Sequence, residues 1–117
     1  MLLRAVTIDC SNPVELADFY ARLTGFEVKH SADDAAALEA DGGVWVWFQR
    51  VDGYQRPTWP SQDIPQQFHL DLGSENLVED EQRALSLGAT EASVQPGGDS
   101  WRVLLDPEGH PFCLTAN

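Results

Sequence analysis

The sequence predicts an α+β fold: two βαβββ repeats forming a concave eight-stranded mixed sheet. Three observations predict it. First, the chain nearly repeats itself, since Ile8-Asp9, Asn12-Pro13-Val14-Glu15 and Gly25 return as Leu70-Asp71, Asn76-Leu77-Val78-Glu79 and Gly88. Second, each copy carries one amphipathic helix pattern between strand-like segments. Third, each copy has a strong turn signal before its last strand, Asp41-Gly42-Gly43 and Asp106-Pro107-Glu108-Gly109. Those hairpins support eight strands better than the four of a ferredoxin-like βαββαβ chain.

The elements follow in order. Leu3 to Cys10 reads as the first strand. Asn12 is the N-cap of a helix over Pro13 to Thr24, with Pro13 at N1 and Glu15 at N3. Leu16, Ala17, Tyr20 and Leu23 form its apolar face, and Gly25 ends it in a left-handed conformation. Glu27 to His30, Ala35 to Glu39 and Val44 to Val51 complete the first copy as strands. The second copy reads as a strand Gln67 to Leu72, an Asn76-capped helix Leu77 to Leu87 with Leu77, Val78, Ala84 and Leu85 inward, and strands Thr90 to Val94, Trp101 to Leu105 and Phe112 to Thr115. At 117 residues the expected organisation is a single domain, 1–117, with repeat one at 1–51, a connecting loop at 52–66 and repeat two at 67–117. That loop is long, and its Tyr54, Arg56 and Trp59 make it a candidate lid, dimer strap or protein-binding segment.

Alternation along the strands separates two faces. Val44, Val46 and Phe48 suit a helix-covered face, while Trp45, Trp47 and Gln49 carry polar atoms and suit a partly wet one. Phe68, Leu70 and Leu72 likewise oppose His69 and Asp71. By the repeat, Thr7 and Asp9 are expected to match His69 and Asp71. His69, Trp45 and Trp47 are therefore expected to line one ligand hollow. Trp59 and Trp101 are added as aromatic lining. His30 and His110 fall near strand ends or turns and read as surface residues.

Composition narrows the function classes. The formal net charge of −12 argues against a nucleic-acid partner, which needs a basic surface, and against an anionic membrane surface. It favours a cationic small molecule. No apolar run reaches the roughly 20 residues that span a bilayer, and the first residues lack a basic head, so a cytoplasmic protein is expected. Cys10 and Cys113 are too few for a disulfide framework and read as reduced, packed thiols.

The duplicated unit, Phe68-His69-Leu70-Asp71-Leu72, and the ending Asp106-Pro107-Glu108-Gly109-His110-Pro111-Phe112-Cys113-Leu114 resemble the vicinal oxygen chelate superfamily. That group includes glyoxalase I, extradiol dioxygenases, fosfomycin resistance enzymes and bleomycin-binding proteins. Pro57-Thr58-Trp59-Pro60, followed by Pro65-Gln66-Gln67-Phe68-His69, is similar to its glyoxalase-like domain branch. The resemblance covers essentially the whole chain. It implies two half-barrels around a cleft, a homodimer, and, in metal-using members, a divalent ion on first-strand histidine or glutamine and last-strand glutamate. His69 matches the second-unit histidine. The first-unit position falls on Ala5 or Thr7, and the closing glutamate on Cys113. That set does not suit magnesium or manganese, so no cofactor is expected. If a divalent metal binds, His69 and Cys113 with an unidentified third group are the zinc-type ligands.

Two functions follow from these residues. One is a small-molecule binding protein taking a cationic or aromatic compound on Trp45, Trp47, Gln49, Thr7, Asp9, Trp59, Trp101 and Cys113. The other is a lyase, isomerase or dioxygenase with His69 as base or metal ligand and Asp71 orienting it or touching substrate. A third possibility is a non-catalytic module that binds protein through 52–66.

Overall fold

The computed structural model describes all 117 residues. They form two compact units, Met1–Tyr54 and Gln55–Asn117. The first contains β1 (Ala5–Cys10), α1 (Pro13–Thr24), β2 (Glu27–Ser31), β3 (Ala35–Glu39) and β4 (Trp45–Arg50). The second contains β5 (Leu70–Ser74), α2 (Leu77–Ser86), β6 (Thr90–Glu91), β7 (Trp101–Leu105) and β8 (Pro111–Ala116). Each unit is thus βαβββ. The eight strands divide into two four-stranded sheets with matching orders, β1-β4-β3-β2 and β5-β8-β7-β6. In each, the first strand lies parallel to the last and the remaining pairs are antiparallel. A parallel pair needs a crossover connection, and the helix supplies it.

The caps form as the sequence predicts. Asn12 Oδ1 accepts from the Glu15 amide at 3.3 Å, and Asn76 Oδ1 from the Glu79 amide at 3.1 Å. Gly25 closes α1 at φ 82°, its N–H bonded to the Ala21 carbonyl at 2.8 Å. Helix α1 buries Leu16, Ala17, Tyr20 and Leu23, together with Phe19 and Pro13. Tyr20 stacks on Phe48 with ring centroids 5.6 Å apart, tying helix to sheet. The buried Ile8, Ala36, Leu38 and Val46 belong to the same core.

Helix α2 departs from the expected face. Ala84 is buried and Leu77 half-buried, but Val78 and Leu85 are exposed. The inward row includes Glu81 instead, which pairs with Arg102 of β7 at 3.2 Å. A charged contact replaces part of the anticipated hydrocarbon, and a hydrophobic count alone cannot reveal it.

Two strands also differ. Strand β5 starts at Leu70, so Phe68 and His69 precede it. Strand β6 stops at Glu91 rather than Val94 because the Gln95 amide takes over the ladder. Gln95 Nε2 donates to the carbonyls of Ala92 (3.0 Å) and Val103 (2.7 Å), and its Oε1 accepts from the Val103 amide at 2.9 Å.

His110 is the clearest correction. The expected surface residue is 1 % exposed. Its Nδ1 lies 2.8 Å from Asp106 Oδ2, and Asp106 Oδ1 also accepts the amides of Glu108 (2.9 Å) and His110 (3.0 Å). The turn Asp106-Pro107-Glu108-Gly109 is folded around the buried carboxylate of Asp106. Gly109, at φ 92°, leaves room for Arg56, whose Nη1 donates to the Pro107 carbonyl at 2.9 Å. Replacing Asp106 with alanine strands several buried donors, so a loss of about 3 kcal/mol in urea-denaturation stability is expected. A loss below about 1 kcal/mol would show that solvent satisfies those donors.

Candidate functional site

Each helix covers one face of its sheet, and the residues singled out in the sequence fall on the other. In the first unit, the register pairs Ala5 with Trp45, Thr7 with Trp47 and Asp9 with Gln49. It continues from Trp47 to Ala37 on β3, and from Ala37 to His30 on β2. A single row across the sheet therefore runs Thr7, Trp47, Ala37, His30. The indole of Trp47 lies 5.5 Å from the His30 ring and 6.0 Å from the Trp45 indole, centroid to centroid. Ala37, between Trp47 and His30, is fully buried. The sequence placed His30 on the surface, and it is exposed. Its position on the indole face was missed, because a β-bulge between Val28 and His30 shifts the strand's parity.

An open pocket of about 350 Å³ lies on this unit, lined by Thr7, Asp34, Ala35, Trp47, Gln49 and Arg50. Asp34 and Arg50 were not anticipated. They meet because the Arg50 amide bonds the Asp34 carbonyl at 2.9 Å where β4 ends. The pocket thus has an indole wall, a hydroxyl, a carboxamide, one carboxylate and one guanidinium.

In the second unit, Asp71 pairs with Cys113, and Cys113 with Val103. The Ala92 amide bonds the Val103 carbonyl at 3.1 Å, which extends the row to Asp71, Cys113, Val103, Ala92. Trp59 and Trp101 pack on the cluster of Ala92, Val103 and Cys113. Trp101 shares this face because Arg102, its neighbour, points to α2. Trp59 is carried by a loop closed on itself: the Thr58 amide bonds the Ile64 carbonyl at 2.7 Å, and the Ile64 amide bonds Thr58 Oγ1 at 3.1 Å.

His69 Nε2 lies 3.7 Å from Asp71 Oδ1, both side chains being well exposed. Ligand atoms of His69, Asp71 and Cys113 all lie within 4.8 Å of one another. Cys113 is only 7 % exposed. Burial pushes its thiol up to about 11, helped by repulsion from the Asp71 carboxylate and by the hydrogen bond the thiol gives it.

The structure also corrects the repeat alignment. Counted from the helix caps Asn12 and Asn76, the partner of Asp71 is Thr7 and that of His69 is Ala5. Counted from the turn glycines Gly43 and Gly109, the partner of Cys113 is Trp47. The two counts agree with the registers, in which Thr7 pairs with Trp47 and Asp71 with Cys113. Asp9 is therefore not the equivalent of Asp71. The chain has two more residues between Asp71 and its helix cap than between Asp9 and its own, and that hides the offset.

A family model described as a glyoxalase-like domain matches residues 5–115. Among solved structures, the chain is similar to a glyoxalase/bleomycin resistance protein/dioxygenase family enzyme from Burkholderia phytofirmans PsJN, with 19 % identity, 99 % of this chain and 98 % of that chain covered, and a TM-score of 0.78. It is similar to a possible glyoxalase from Bacillus cereus, with 14 % identity, 98 % of each chain covered and a TM-score of 0.73. It is also similar to a mutant of the fosfomycin resistance protein FosX from Listeria monocytogenes, complexed with manganese(II) and a dihydroxypropylphosphonic acid, with 18 % identity, 100 % and 92 % covered, and a TM-score of 0.72. At these identities the likeness establishes the fold. No curated protein sequence matches the chain.

The manganese in that FosX complex invites a test of the donors present here. Manganese prefers oxygen and nitrogen donors in octahedral array. The cluster His69, Asp71 and Cys113 offers a sulfur in place of a carboxylate, and it does not fit. The thiol makes a prediction of its own. Because its folded pKa of about 11 exceeds the ordinary 9.0, the folded chain holds a proton that the unfolded chain gives up. The associated stability is fully present below about pH 9 and is lost as pH rises through about 11. Urea denaturation across that range is expected to show the decline, and Cys113→Ser is expected to flatten it. A decline equally steep in the variant would assign it to other groups.

Proposed function

The chain belongs to the family of glyoxalase-like domains, and from that membership we propose that it is a small-molecule binding protein of the glyoxalase/bleomycin resistance type, without an intact hard-metal site. The observation that carries this reading is the pocket on the first unit. Its volume of about 350 Å³ is within the range of small-ligand sites. The lining also has the right balance. Trp47 offers a flat apolar surface that stacks on a planar ligand or attracts a cation. Asp34 supplies a negative partner for that cation, and Gln49 and Thr7 supply orienting hydrogen bonds. Arg50 adds a donor for a carbonyl or carboxylate on the same ligand. The net charge of −12 raises the local concentration of cations and disfavours polyanions. The favoured ligand is therefore a planar aromatic compound bearing a positive group.

A second reading is favoured by one contact. His69 and Asp71 lie close enough for the carboxylate to orient the imidazole, and both are open to solvent. That arrangement suits a general base in a lyase, isomerase or dioxygenase of the same superfamily. Loss of turnover in His69→Ala with unchanged ligand affinity would favour catalysis over simple binding.

The binding reading is tested by titrating the protein with aromatic ammonium compounds while following tryptophan fluorescence and melting temperature. A responsive compound is expected to lose roughly tenfold or more in affinity on Trp47→Ala, and less on Asp34→Asn. A panel in which no compound shifts either signal would reject the pocket as a receptor site.

A further inference from the structure

We infer, resting on the pocket reading above, that the ligand of the first unit presents a planar heterocycle with a hydrogen-bond donor beside an acceptor on one edge. A lactam or an amino-imine edge is the class meant. The ring lies on Trp47, and Gln49 reads the edge. The direction of approach follows from what surrounds Trp47. Trp45, Trp47 and Gln49 take alternate positions on β4 and share a face, roughly 7 Å apart along the strand. The Trp45 indole covers Trp47 from one side along β4, 6.0 Å away. The His30 ring covers it across the row, 5.5 Å away, with Ala37 between them in register. The sides left are those of Thr7 and Gln49. The pocket lies there: Trp47, Gln49, Thr7 and the small Ala35 line it, while Trp45 and His30 do not. The indole therefore offers its surface to a ring next to the carboxamide.

Gln49 is positioned by its backbone. It pairs with Asp9 on β1 and Ala35 on β3, and its main-chain carbonyl accepts the Cys10 thiol at 3.6 Å. Its exposed carboxamide and the Thr7 hydroxyl take no partner from the chain. A carboxamide holds an acceptor and a donor side by side in one plane. Only a ligand edge with the complementary pair satisfies both at once. An ammonium uses the oxygen alone, and a carboxylate the NH2 alone. The chain contains the same pairing in satisfied form. Gln95 accepts from the Val103 amide at 2.9 Å and donates to the Val103 carbonyl at 2.7 Å, so one carboxamide complements both backbone polar atoms of one residue. A lactam carries that N–H and C=O pair fixed in a ring. At Gln49 the same chemistry is turned to the open face, beside an indole that holds the ring.

Size and charge narrow the class further. About 350 Å³ is near the lower end of small-ligand pockets, which suits a bicyclic ring with a short substituent and not an extended cofactor. The net charge of −12 disfavours a phosphate group on the ligand. The fit is a free heterocyclic base, with Asp34 as the partner of its positive group.

The test is calorimetric titration of the full chain with three compounds of nearly one shape: an aminomethyl-quinolinone, its N-methyl derivative and aminomethyl-naphthalene. All three carry the ammonium and the bicycle, and only the first has a complete lactam edge. The quinolinone is expected to bind roughly tenfold more tightly than the other two, the size of discrimination a bidentate carboxamide contact gives. Gln49→Leu is expected to erase the preference. Gln49→Glu is expected to move it to the corresponding aminoquinoline, whose protonated edge offers two donors to a carboxylate. Melting temperature reports whether each variant folds, and the glutamate variant keeps the test valid if the leucine variant does not. Equal affinity for all three compounds, or a preference that survives in Gln49→Leu, would overturn the edge reading. If that shared affinity still falls in Trp47→Ala, the pocket reading stands without it. No binding by any of the three would overturn both.

Discussion

The constraint on which the rest depends is one-sided coverage of a pleated sheet. Each unit pairs its first strand parallel to its last, and the helix that makes the crossover lies on only one face. The pleat then sorts residues by parity. Ile8, Val46 and Phe48 are sent beneath α1, and Thr7, Trp47 and Gln49 to the uncovered side. Hydrocarbon burial fixes the parity, since a one-residue slip would expose Phe48 and bury Gln49 against the helix. Functional side chains on the open face thus inherit their placement from core residues that touch no ligand.

The same backbone row carries different chemistry in the two units. Thr7, Trp47, Ala37 and His30 make an indole surface with a hydroxyl and an imidazole at its edges. Asp71, Cys113, Val103 and Ala92 make a compact polar pair beside small apolar residues. Where the first unit has a broad ring to stack on, the second has a thiol hydrogen-bonded to a carboxylate. The two units share a strand register while their open positions differ, because the core demands nothing of those positions beyond fitting.

Much of the fold was legible because its signals are local. Asn12 and Asn76 announce the helices, Gly25 ends the first, and the Trp45 to Gln49 alternation fixes a face. Trp45, Trp47, His69 and Asp71 were readable as open-face residues by the same rule, whereas Cys113 was singled out by the family resemblance and Trp59 and Trp101 only as aromatic residues. The losses have non-local causes. His110 reads as a turn residue until Asp106 is seen to be buried with it. The end of β6 depends on the Gln95 side chain imitating backbone. Glu81 faces inward because Arg102 waits across the sheet, twenty-one residues on. Asp34 and Arg50 enter the pocket through a strand-end contact that no periodicity marks.

The carboxylate of Asp71 beside His69 and Cys113 shows how register supplies what a motif omits. In sequence, Asp71 and Cys113 are separated by a helix and two strands. A parallel first-to-last pairing makes them neighbours regardless of that distance, and it does so only at one register. Shifting β8 by two residues would keep every side chain on its own face, yet place Pro111 or Thr115 beside Asp71. Neither offers the sulfur. The pairing of thiol and carboxylate in the second unit is therefore decided by the alignment of two strands, and that alignment is held in turn by Leu70 against Phe112 and Leu72 against Leu114, on the face the helix covers. Core packing and donor geometry are two sides of one register, so an alteration to either apolar pair acts on the site as directly as a change to a donor.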